Sequence, residues 1–241
     1  MKQLYKDTFK TIILLTIFGI AMGYLESAVV IYLRKIYYPD GFSFPLVVIP
    51  PDMLTFEVLR EVATIFMLIS ISIIAGKNFN QRLAYFLYNF AVWDIFYYVW
   101  LKATIGWPPS PLTWDILFLI PTNWIGPVLA PIICSFTMIA LSIIILIFEV
   151  RKCPIRIGAI QWALLLSGAI VIFITFIKDF ARIIIKGGYI TQFTSLMRDS
   201  GFKNIVENYI PAHFNWWLFS IGEATILTAI VIIYIKGRKN K

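Results

Sequence analysis

Residues 11–33, TIILLTIFGIAMGYLESAVVIYL, form an unbroken apolar run with one charge, Glu26, and their length decides the fold class. A helix rises 1.5 Å per residue, so about 20 apolar residues cross a hydrocarbon layer of roughly 30 Å. A signal-peptide core ending near Ala21 and Gly23 is the rival reading. The run continues past Glu26 for longer than such a core needs.

Five further stretches repeat the pattern, giving spans at about 11–33, 55–75, 82–105, 125–149, 157–184 and 214–235. The composition agrees, with 60% hydrophobic residues, 17% aromatic and only 14% charged. We expect an all-α integral membrane protein, a single polytopic domain over residues 1–241 with about six transmembrane helices. Its partners would be membrane lipids, a lipid-soluble ligand or other membrane subunits. The net charge of +8 reflects basic residues at span ends, so no nucleic acid is expected.

With both termini cytoplasmic, twelve of the 21 basic residues fall on the inner side and seven on the outer, in line with the positive-inside rule. The setting is a prokaryotic-type plasma membrane. Inner connections (GKNFNQ, RKCPIR) are minimal, whereas outer ones are long. Residues 107–131, WPPSPLTWDILFLIPTNWIGPVLAP, contain an apolar core too short to span. They read either as a re-entrant hairpin dipping in from outside or as an interfacial aromatic belt with a surface helix. The third outer connection carries Phe193, Leu196 and Met197, then Phe202, Ile205, Val206 and Tyr209, a pattern for two short amphipathic helices on the outer leaflet.

A charge at the bilayer centre costs roughly 2.5–3.5 kcal/mol, so intramembrane ionisable residues mark a candidate site. Glu26, Glu57, Arg60, Glu61, Asp94, Asp115, Lys178, Asp179, Arg182, His213 and Glu223 all fall between mid-membrane and the outer interface. The inner halves TIILLTIFGI, MLISISIIAG and ILTAIVIIYI have no charge. Seven acids face three fixed cations, Arg60, Lys178 and Arg182, a formal excess of four negative charges. Protons, a partner or a hard cation such as magnesium, calcium or manganese must balance them.

In FEVLREVAT, Glu57, Arg60, Glu61 and Thr64 share one helix face, so Arg60 can hold one carboxylate and leave another free. The candidates for acid–base catalysis are Glu57, Glu61, Glu26, Asp94 and Glu223. Glu26, Glu61, Asp94 and Glu223 are also the candidate metal ligands. Arg60, Tyr97, Tyr98, Trp114, Asp115, Lys178, Asp179 and His213 are candidates for substrate binding. Plain ion pairing, aromatic packing and snorkelling of Arg182 are the competing structural readings.

One histidine excludes bis-histidine haem ligation within the chain, and no phosphate-binding or dinucleotide fingerprint is present. Cys134 and Cys153 form no CxxC pair. Three function classes remain: an intramembrane enzyme or binding protein for a lipid-soluble or lipid-linked substrate, a subunit of a larger membrane complex, and an ion-coupled carrier. The acidic, partly aromatic pocket on one side favours the first. A carrier needs polar access on both sides.

Overall fold

A computed structural model describes residues 2–153, 155–186 and 200–239. Most of each of the six apolar stretches lies on a long helix, the fourth starting at 129 rather than 125: α1 (Lys2–Tyr37), α2 (Pro51–Ala75), α3 (Phe79–Ile105), α4 (Leu129–Val150), α5 (Ala159–Lys186) and α7 (Trp216–Lys239). Five of them, all but α3, are long and apolar enough to cross a membrane, as an integral membrane protein requires. Their outer faces expose apolar side chains such as Phe66, Ile74, Ile160 and Val231. A lipid environment accepts such faces; water would not.

Local chemistry sets the helix ends. Pro51 occupies the first turn of α2, where its missing N–H costs nothing. Asn78 caps α3 by accepting from the Gln81 N–H at 3.0 Å, and Gly106 closes it in the left-handed region at φ 71°.

Between α3 and α4 the chain forms a short β-hairpin and no surface helix. Trp114–Phe118 (β1) and Trp124–Pro127 (β2) pair antiparallel, with an irregularity between Ile116 and Phe118. This hairpin corrects the all-α expectation locally. A short α6 (Ser200–Glu207) precedes α7 and matches the second of the two amphipathic patterns; the first lies outside the described residues. Its Val206 is buried against the hairpin and the first connection rather than turned outward.

Helix α3 is central, packing on α1, α2 and α4; α4 also meets α7, which pairs with α5. Two glycine contacts bring backbones close. A Cβ on Gly19 would lie 2.8 Å from Val92, and one on Gly23 would lie 3.0 Å from the Phe96 backbone, so α1 seats directly on α3. Gly168 and Gly222 do the same for α5 and α7, where each added Cβ would meet the other's carbonyl at 2.8 and 2.9 Å.

Candidate functional site

The hairpin and the adjoining ends of the helices gather most of the ionisable candidates, in three groups rather than one. The first centres on Arg60. Its Nη2 lies 2.8 Å from Glu57 Oε2 and its Nε donates to the same oxygen at 2.9 Å. Its Nη1 pairs with Glu26 of α1, and Thr64 donates to the other Glu26 oxygen at 3.3 Å. Arg60 therefore holds two carboxylates, not one. Glu61, one turn along the same face, accepts the Leu119 backbone N–H at 2.9 and 3.1 Å. A helix carboxylate thus pins the end of the hairpin.

The second group is Arg34 with Asp115, 2.9 Å apart and both buried. The guanidinium rests over Trp107 at 3.7 Å and Phe42 at 4.5 Å. Burial opposes ionisation of the Asp115 carboxyl and the Arg34 charge beside it favours it. Sequence position makes Arg34 look like an interfacial cation, yet it is a buried partner. Counting it lowers the formal acid excess from four to three.

The third group lies on α4. Ser135 donates to Asp94 of α3 at 2.7 Å and Thr137 donates to Glu223 of α7 at 2.8 Å, with the Cys134 thiol beside both carboxylates. Neither acid has a cationic partner among the described residues. Tyr97 links the three groups electrostatically, since its phenol is within reach of Arg34, Asp115, Arg60 and Asp94. Its ring packs edge-on against Tyr98 at 4.8 Å.

The remaining candidates stand apart. Asp179 and Arg182 form a loose 3.8 Å pair with Arg182 64% exposed, and His213 is exposed. Lys178 is half-buried, and Trp114 packs on Phe214. The prospect of one shared cation site for Glu26, Glu61, Asp94 and Glu223 is not met. Among the described residues no three of His, Cys, Asp and Glu are grouped to hold a metal ion. The helix ends remote from the hairpin also bury an acid: Glu149 is buried and accepts from Asn78 at 2.8 Å and Asn80 at 2.9 Å. An acid ending the apolar run ILIFEV was the available signal.

An apolar cavity of about 390 Å³ lies beside the hairpin, within the size range of small-molecule pockets. Leu54 and Val58 of α2, Phe180 and Ile184 of α5, Val206 of α6 and the hairpin turn at 119–123 line it. Tyr38 lies at its rim, where burial raises its phenol pKa and the Val47 N–H donates to its oxygen at 2.8 Å. Among the described residues no ionised side chain lines the cavity, but two connections reach the polar groups. Leu119 lines it while its N–H is held by Glu61, and Ile116 lines it from the opposite face of β1 to Asp115.

Comparison with protein-family models, curated proteins and solved structures finds no match. The arrangement alone therefore has to carry the functional reading.

Proposed function

We propose that this chain is a six-span membrane protein that binds, or acts as an intramembrane enzyme on, a lipid-soluble or lipid-linked substrate in the outer half of a prokaryotic-type plasma membrane. In this reading α3 is the sixth span, its polar residues turned toward neighbouring helices, and both termini are cytoplasmic. The hairpin enters from outside as a re-entrant segment. Its backbone is tolerated there because helices and connections cover it.

The observation that carries the reading is the meeting of an apolar cavity with a charged cluster at one hairpin turn. A hydrocarbon chain fits between α2 and α5, which do not form a packed pair, so entry from the bilayer is sideways. A polar headgroup would then lie toward Glu57 and Glu61, neighbours on α2 of the cavity residues Leu54 and Val58. Carboxylates in such surroundings suit acid–base work on the headgroup.

The test is extraction of the purified protein with organic solvent, followed by mass spectrometry. A lipid should co-isolate with the wild type and be depleted by Val58→Trp, which fills the cavity. Ile74→Trp, on a 78% exposed face, should retain it. Equal retention in all three proteins would sink the reading, and stoichiometric co-isolation of another polypeptide without lipid would favour a complex subunit. Orientation is read separately in a background lacking Cys134 and Cys153. Ser110→Cys should react with an impermeant thiol reagent added from outside and Lys152→Cys should not.

A further inference from the structure

A second cavity, of about 400 Å³, lies at the helix ends remote from the hairpin. Phe79 and Asn80 at the start of α3, Ile155, Arg156 and Ile157 of the α4–α5 connection, and Trp162 in the first turn of α5 line it. Hydrogen bonds fix this connection in place. Asn80 Nδ2 donates to Glu149 Oε1 and to the Ile155 carbonyl, each at 2.9 Å, and Asn78 Nδ2 donates to Glu149 Oε2 at 2.8 Å. Gln161 Oε1 accepts the Gly158 N–H at 3.0 Å, which leads the chain into α5. The mouth is open, because Phe79 is 64% exposed and Arg156 is exposed as well.

Both Asn80 amide hydrogens are therefore used. The Arg156 guanidinium and the Trp162 indole N–H are not: neither has a partner among the described residues. Two unspent donors call for an acceptor, and the surroundings decide its charge. Lys77 and Arg82 flank the α2–α3 turn, and Arg151 and Lys152 share a connection with Arg156. Lys236, Arg238 and Lys239 end α7, whose Gly237 comes so close to α4 that an added Cβ would lie 2.6 Å from the Phe148 ring. On these segments eight cations accompany one acid, Glu149, and none of the eight is in an ion pair among the described residues.

A neutral acceptor would leave that field unanswered, and a zwitterionic headgroup would bring its own ammonium into it. A phosphodiester with no cation of its own suits it. Arginine can hold a phosphate through two parallel N–H···O bonds, and basic pockets between membrane helices suit anionic headgroups. The acyl chains also have a place: Phe79 at the mouth and Ile160, two residues before Trp162, are 64% and 67% exposed. A free phosphate ion has no use for such apolar faces.

We propose that this cavity binds the headgroup phosphate of an anionic phospholipid in the leaflet at this end of the bundle, with Arg156 as its partner. The site is separate from the substrate cavity and does not depend on it.

The test sets a built site against a diffuse basic surface. The full chain in a neutral detergent is titrated with phosphatidylglycerol and with phosphatidylcholine of identical acyl chains, and bound lipid is counted by native mass spectrometry. Phosphatidylglycerol should bind more tightly by about fivefold or more, the worth of one basic side chain at an anionic surface. Arg156→Gln should bring that ratio close to one. Lys239→Gln, the same loss of charge outside the cavity, should change it by less than about twofold, and both positions are exposed, so neither exchange threatens the fold. Equal binding of the two lipids to the wild type overturns the proposal. So does a ratio that Arg156→Gln leaves unmoved, or that both exchanges reduce alike, since the charge then acts diffusely. Displacement of phosphatidylglycerol by millimolar inorganic phosphate overturns it too, by making the free ion the ligand.

Discussion

Arg60 and α4 hold their carboxylates in opposite ways. Around Arg60, one guanidinium is bonded to Glu26 and Glu57, so charge is balanced by charge and three side chains from two helices depend on each other. On α4, Asp94 and Glu223 receive only a hydroxyl each, from Ser135 and Thr137, and Glu223 Oε1 is buried with no partner. The first arrangement stays satisfied only if its acids remain ionised. The second is satisfied equally well by a protonated acid. Two acidic groups a few turns apart can therefore differ in whether charge is part of the structure.

The sharpest way to break this contrast is Arg60→Met, which strands two carboxylates. Removing one partner of a buried ion pair costs about 3–5 kcal/mol, so the melting temperature in detergent should fall more than for any other change here. Adding Glu26→Gln and Glu57→Gln to that variant should recover most of the loss; no recovery would mean that Arg60 acts through packing alone. Next in size is Glu61→Ala, which frees the Leu119 N–H and removes a charged acceptor worth about 1.5–3 kcal/mol. Proteolysis at the 119–123 turn should quicken, and unchanged cleavage would show that Glu61 does not pin the hairpin. Thr137→Val removes one hydroxyl bond, an effect of about 1 kcal/mol. The smallest effects belong to Asp94→Asn and Glu223→Gln, expected to shift stability by less than about 1 kcal/mol, because an amide can accept the same hydroxyl proton. A loss as large as that of Arg60→Met would mean that α4 also depends on ionised acids.

The helices were legible in the sequence because length and apolarity are local properties: the stretches at 55–75 and 82–105 differ from α2 and α3 by no more than four residues at either end. The β pairing of the hairpin was not. WDILF reads as an apolar fragment with one acid, and only a partner strand beyond Pro121 makes it β structure. In FEVLREVAT, helical spacing brought Glu57, Arg60 and Glu61 to one face, but Glu26 as a second ligand of Arg60 depends on how α1 sits beside α2. Arg34 was hidden for the same reason. Followed by Lys35 at a helix end, it has the sequence appearance of a headgroup contact, and Trp107 and Asp115 lie more than seventy residues away. Spacing shows which side chains share a face; it does not show what that face meets.

Helix α1 has a mechanical consequence. Its 36 residues make a rod of about 54 Å at 1.5 Å per residue, against a hydrocarbon layer of roughly 30 Å. With Arg34 fastened to the hairpin at one end, the surplus has to emerge at the other. The first two or three turns, bearing Lys6 and Lys10, then stand beyond the hydrocarbon layer as a stiff post. A tilt of the hairpin that drags Arg34 would swing this post through an arc in the aqueous phase, so a distance label near Gln3 would register events at the far side of the bilayer.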